Sequence, residues 1–139
     1  MAVDILYAPQ MEDGATEGAT GNEYSNVIRV NYGAASFLFT GDLVAEQEKA
    51  MLAEGKNPQC TVLKVAHHGS KTSTTEEFLA AAQPRFAVIS VGRDNNFGHP
   101  APEVIERLQK NGIKIYRTDE DGAVVCRTDG KTLRIEMFR

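Results

Sequence analysis

Apolar residues occur along this chain in short blocks, and their spacing switches between two periods. Residues 3–7 alternate weakly, as a strand does. Val27, Ile28, Val30 and Tyr32 alternate with polar partners up to Gly33. Phe37, Leu38 and Phe39 resume the pattern within 36–40, so 27–40 reads as a β-hairpin. After Gly41-Asp42 the period lengthens. Leu43, Ala50, Met51 and Leu52 are apolar, Glu46 and Lys49 are polar, and Gly55 and Pro58 end a helix. Residues 61–66 predict a strand running into the segment HHGSKTS (67–73). Thr74 or Thr75 caps a second helix through Ala82, with Glu77 in its first turn.

Residues 86–91 are almost wholly apolar, which predicts a strand buried on both faces. A polar loop, GRDNNFGHP (92–100), precedes a helix opened by Pro102. Val104, Ile105 and Leu108 form its buried stripe and Gly112 stops it. A strand at 113–116 follows. Asp121-Gly122 and Asp129-Gly130 are hairpin turns, linking it to strands at 123–127 and 132–138. The one long stretch without periodicity is 9–23, rich in glycine and acidic residues. It reads as a flexible loop, and its Glu12, Asp13 and Glu17 as solvated charges. The alternation of strands and helices makes this a single α/β domain over 1–139 with a mixed sheet.

Composition narrows the function. At 139 residues the chain can bury a real core, and 42% hydrophobic with 24% charged residues is ordinary for a globular protein. A net charge of −4 argues against a sequence-independent grip on nucleic acid, although a bound metal can supply local positive charge to a nuclease. No apolar run approaches the roughly 20 residues of a membrane span. Met1 leads straight into a strand-like run rather than a signal peptide, so the expectation is a cytosolic protein or an excerpt of a longer one. Cys60 and Cys126 fit no CxxC spacing and read as buried free thiols.

All three histidines lie in loops that directly follow apolar strands, where ligands of open α/β sheets gather. If strands 36–40 and 61–66 are neighbours, Asp42 and one of His67 and His68 can face a common point. A carboxylate with an imidazole suits zinc, manganese or iron. Each residue also has a plain structural role. Asp42 could cap the following helix. His67 and His68 could be strand-end residues meeting water. Ser70, Lys71 and Ser73 could hold an oxyanion before a helix N-terminus or merely cap it. His99 could be a loop histidine with a structural hydrogen bond.

Four segments carry a resemblance: YSNVIRVNYGAASFLFTGDL (24–43), LKVAHHGSKTS (63–73), AVISVGRDNNFGHPAPEVIERL (87–108) and IYRTDEDGAV (115–124). In this order they resemble the metallo-β-lactamase-fold domain of ComEC-type DNA-uptake channel proteins and related hydrolases. The resemblance implies an αββα sandwich of which this chain is the C-terminal half, a mixed sheet with helices on one face. It implies Asp42 as a metal-bridging carboxylate and His68 as a ligand of zinc or manganese. His67 would orient or shuttle a proton, His99 would lie near the substrate, and Ser70, Lys71 and Ser73 would be on the substrate side.

One departure limits what the resemblance implies. The family's HxHxDH-type motif, which supplies most ligands, is absent from this sequence. The expected partners are therefore an N-terminal half of the same domain, and DNA as substrate of the intact protein. Alone, the chain is expected to bind metal weakly or not at all, to be a poor catalyst, and to self-associate through an uncovered apolar sheet face. The implied setting is a soluble, extracytoplasmic segment of a cell-membrane protein. The rival readings are a non-catalytic binding or folding module, and a hydrolase of another ester such as a lactone or phosphocholine.

Overall fold

The computed structural model describes residues 1–9 and 21–139. Most of the loop expected at 9–23 lies outside the described residues; its end is a 3-10 turn, Asn22–Tyr24. Six strands form one sheet in chain order: β1 (Ala2–Tyr7), β2 (Val27–Tyr32), β3 (Ala35–Phe39), β4 (Val62–Lys64), β5 (Phe86–Ile89) and β6 (Lys114–Arg117). β1, β2 and β3 pair antiparallel, and β3 to β6 pair parallel. The mixed sheet follows from the connections. A tight turn at Gly33 returns β2 to β3, while a helix returns each later strand: α1 (Ala45–Ala53), α2 (Glu76–Ala82) and α3 (Pro102–Lys110).

Period-2 alternation sorts the sheet residues onto two faces. Leu38, Leu63 and Ala87 are cross-strand neighbours on one face. They are fully buried in one cluster with Leu43, Met51 of α1, Phe78 and Leu79 of α2, and Val104 and Leu108 of α3. All three helices thus lie on the same face. The second face carries Ile5, Ile28, Phe39, Lys64, Val88 and Tyr116 as one cross-strand row. Its cover is a separate hairpin, β7 (Ala123–Thr128) with β8 (Leu133–Phe138). Val124 and Cys126 of the hairpin, with Phe37, Phe39, Val62 and Lys64 of the sheet, line a cavity of about 200 Å³ between the two. Toward β1 the face is open: Val3 is 60% exposed and Ile5 69%.

Several expectations shift. The strand predicted at 61–66 ends at Lys64, because Ala66–Gly69 turns away. The strand predicted at 86–91 ends at Ile89 and is not buried on both faces. Ala87 and Ile89 are buried under the helices, while Phe86 and Val88 face the partly covered side. Asp121-Gly122 does not join a hairpin. Residues Thr118–Asp121 form a single helical turn, α4, and the chain then leaves the sheet, so β6 and β7 do not pair with each other. The turn at Asp129-Gly130 does join β7 to β8. Cys60 is a buried free thiol pushed up to about 12 chiefly by burial, whereas Cys126 is only half-buried.

The hairpin is fastened at its turn. Ala34 N–H donates to the Gly130 carbonyl at 2.7 Å. Gly33 has φ 58°, and a Cβ there would overlap that same carbonyl oxygen. A second fastening sits among the helices. Glu48 of α1 is 1% exposed, and its carboxylate accepts the Thr74 N–H at 2.5 Å and the Thr75 N–H at 2.9 Å. Arg107 of α3 donates to the carbonyls of Thr74 (2.6 Å) and Ser73 (3.3 Å). Thr74 is left-handed, φ 56°, and is gripped from both sides. Burial raises the Glu48 pKa above its ordinary 4.5, opposed by the amide bonds and by Arg107.

Two predictions follow from these fastenings. Gly33→Ala should cost roughly 1–3 kcal/mol by pushing the hairpin off the β2–β3 turn, read as a lower urea midpoint. Glu48→Ala should cost on the order of 3 kcal/mol, because the buried Thr74 N–H and the part-buried Thr75 N–H lose their acceptor. The sign with pH follows from the direction of the shift. The folded state holds the Glu48 proton more tightly than the unfolded chain does. This contribution is therefore fully present below 4.5 and is lost as pH rises through the raised folded value. Urea midpoints measured across that window should fall less steeply in Glu48→Gln than in the parent; an unchanged slope would exclude Glu48 as the source.

Candidate functional site

β3 and β4 are adjacent and parallel, so the loops leaving their C-terminal ends emerge side by side. His67 N–H donates to the Gly41 carbonyl at 3.0 Å and joins the two loops. Asp42 N–H donates to the Ser25 hydroxyl at 3.0 Å. The helix-cap role considered for Asp42 does not occur: the residue at the cap of α1 is Val44, with no side-chain bond. The Asp42 carboxylate is thus not used by the helix.

The backbone of the histidine pair is unusual. His67, His68 and Gly69 all have positive φ, at 49°, 54° and 82°. Left-handed conformations cost a non-glycine residue about 1–2 kcal/mol each, so this turn persists only because its surroundings impose it. Ser70 N–H closes the turn on the His67 carbonyl at 2.8 Å, and Ala101 N–H reaches the Gly69 carbonyl at 2.8 Å. Gly69 is required by that approach, since a Cβ there would sit 2.6 Å from the Pro100 Cβ. The HHGS and GHP segments are therefore in direct contact.

The side chains differ in role. His68 Nδ1 lies 2.6 Å from the Ser90 carbonyl. A carbonyl only accepts, so Nδ1 carries a proton; in the neutral ring, Nε2 then presents its lone pair from an exposed position. A metal-ligating histidine is commonly oriented in this way. His67 Nε2 faces the Asn22 amide nitrogen at 3.4 Å, and its buried Nδ1 has no protein partner. His99 Nδ1 is also buried without one. The His67 and His99 rings meet edge to face at 5.8 Å. Burial first, and then His67 and His68, hold the His99 pKa below its ordinary 6.5. His68 and His99 share a cleft with Val91, Gly92, Asn95 and Phe97.

The donor set is short of what a metal ion needs. Asp42 and His68 supply a carboxylate and a free imidazole nitrogen. Yet among the described residues no three His, Cys, Asp or Glu side chains group closely enough to hold an ion. A hydrolytic centre commonly needs three protein ligands. Beside Asp42 the Lys64 ammonium donates to the Val65 carbonyl at 3.0 Å; burial lowers its pKa while the Asp42 charge opposes the shift. Of the residues expected on the substrate side, only Lys71 is exposed. Ser70 is buried with its hydroxyl on that of Thr72 at 2.9 Å, and the Ser73 hydroxyl is fully buried.

Sequence reasoning missed Asn22, Ser25, Lys64 and the Ser90 carbonyl. A backbone carbonyl has no sequence signal at all. Asn95, within the polar loop 92–100, makes four side-chain hydrogen bonds inside that loop.

Relatives place this geometry. ComE operon protein 3 of Bacillus subtilis (strain 168) is 41% identical over 113 residues, covering 81% of this chain and 15% of that protein. Competence protein ComA of Neisseria gonorrhoeae is 42% identical over 104 residues, covering 74% and 15%. Recombination protein 2 of Haemophilus influenzae is 41% identical over 119 residues, covering 85% and 15%. The chain spans about 15% of the length of these curated relatives. They bear out the resemblance to ComEC-type competence proteins. The family model described as Metallo-beta-lactamase superfamily matches residues 9–93, a span that includes Asp42, His67 and His68. By that match over more than half its length, the chain belongs to the metallo-β-lactamase superfamily.

Proposed function

We propose that this chain is the C-terminal half of a metal-dependent hydrolase domain that cuts phosphodiester bonds. It would work within a longer, membrane-associated DNA-uptake protein and degrade a DNA strand outside the cytoplasm. The observation that carries the reading is the orientation of His68: Nδ1 is committed to Ser90, which leaves Nε2 for a ligand, and the neighbouring His67 N–H ties this turn to the loop of Asp42 through the Gly41 carbonyl. Asp42 and His68 would hold a zinc or manganese ion, with the remaining ligands from an N-terminal half. Such an ion supplies Lewis acidity and a water of lowered pKa. His67 and His99 would hold and pass protons beside it, and Lys71 would bind a phosphate oxygen as a point charge.

The length of the relatives supports the placement in a longer protein. The open apolar strip of Val3, Ile5 and Phe39 supports a second half packing on that face, or self-association in its absence. No helix among the described residues is long and apolar enough to cross a membrane, so anchoring would fall to other parts of such a protein. A second reading, a non-catalytic module, is favoured by one observation, the lack of three converging donors among the described residues.

In the complete domain, Asp42→Ala and His68→Ala should each lower Mn²⁺- or Zn²⁺-dependent cleavage of single-stranded DNA by roughly 100-fold or more. Undiminished activity in either variant would sink the assignment. Zinc titration of the 139-residue chain, followed calorimetrically, separates the two readings. Binding that weakens further in Asp42→Ala and His68→Ala is expected for half of a metal site. The same isotherm in all three proteins would favour the non-catalytic module.

A further inference from the structure

We infer that Phe97 is a stacking platform that holds a nucleobase of the substrate strand against the candidate site. This rests on the nuclease reading and adds to it how the strand would be gripped. Phe97 is 81% exposed. A lone exposed aromatic would mean little, but this one is fixed in place. Its ring lies over the His99 ring at 6.0 Å between centroids and 20° between planes. The ring thus stands beside a site histidine and nearly parallel to it, with most of its surface open to solvent.

The backbone beneath it is equally fixed. Asn95 Oδ1 accepts the N–H of Phe97 at 3.2 Å and of His99 at 3.0 Å, while Asn95 Nδ2 donates to the carbonyls of His99 (2.7 Å) and Gly92 (3.0 Å). One asparagine thus clamps the loop around the ring before any ligand arrives, so little ordering entropy remains to be lost on binding. The ring also forms a wall of the cleft that His68 and His99 share.

Chemistry selects the ligand. A preorganised aromatic face accepts any planar base and shows little sequence preference. The chain's net charge of −4 offers no broad basic surface to hold a strand by its phosphates. A strand can instead be held in part by one stacked base. Phe97 would act on binding rather than on the chemical step, since a phenyl ring moves no proton.

The test uses a single-stranded oligonucleotide carrying 2-aminopurine, whose fluorescence falls on stacking, titrated into the 139-residue chain without metal. The parent and Phe97→Tyr should quench it. Phe97→Ala and Phe97→Leu should lose the quench and bind roughly tenfold or more weakly. An oligonucleotide with an abasic site at that position should bind parent and Phe97→Ala alike. No quench by the parent, or equal affinity of parent and Phe97→Leu, overturns the platform. The nuclease reading fails separately. Quenching by the parent without cleavage by the metal-loaded complete domain removes the nuclease and leaves the platform. Cleavage that Phe97→Ala performs equally on normal and abasic strands removes the platform and leaves the nuclease.

Discussion

The turn His67-His68-Gly69 is the constraint on which the rest of the site depends. Three consecutive residues with positive φ are costly unless held, and two of them are histidines. They are held from both sides, by the Gly41 carbonyl on the loop after β3 and by Ala101 N–H beyond the GHP segment. Both anchors exist only because β3, β4 and β5 run parallel and in register, which delivers their loops to one edge. The fold thus pays for the turn, and the turn in exchange aims two imidazoles in different directions. His68 reaches Ser90 and opens Nε2 outward, while His67 is directed toward Asn22 and His99.

The legible parts of this arrangement are those with a local pattern. Strand periodicity located every strand, and the Pro102 start and Gly112 stop bounded α3. HHGSKTS and GHP carried the family resemblance that the relatives bear out. What was illegible depends on long-range contact. Asp42 sits where a helix cap belongs, and only the structure shows the helix starting later, at Val44. The apolar run at 86–91 looked buried twice, because composition cannot reveal that a hairpin covers only part of the second face. Glu48 lies three residues before buried Met51, on the apolar side of α1, and a carboxylate there could have been noticed. Its partners, Thr74 and Thr75, are 26 and 27 residues away and could not.

Glu48 also bears on the site. It grips the residues immediately after HHGSKTS, and Arg107 grips them from α3. The loop is thereby tied to two helices as well as to two strands. Its inward-facing serines fit this reading: Ser70 is bonded to Thr72 within the loop, the Ser73 hydroxyl is buried, and of the three substrate-side candidates only Lys71 projects. A segment read as a possible anion cradle is in this geometry mainly a rigid collar under the histidines.

Among the described residues, the shortage of metal donors follows from the same architecture. Asp42, His68 and His99 all stand at the ends of parallel strands in one sheet, so they approach any shared point from one side. A tetrahedral or octahedral ion needs donors from more than one hemisphere, and one sheet edge supplies only one. The second sheet face, which could bring donors from the other side, carries a hairpin over β3–β5 and bare Val3 and Ile5 over β1. The hairpin lies over the face, away from the edge where the loops emerge, and contributes no histidine or cysteine to the cleft of His68 and His99. On the proposed reading, a further layer would complete the ion, and the exposed apolar strip of Val3 and Ile5 is the surface on which such a layer would rest.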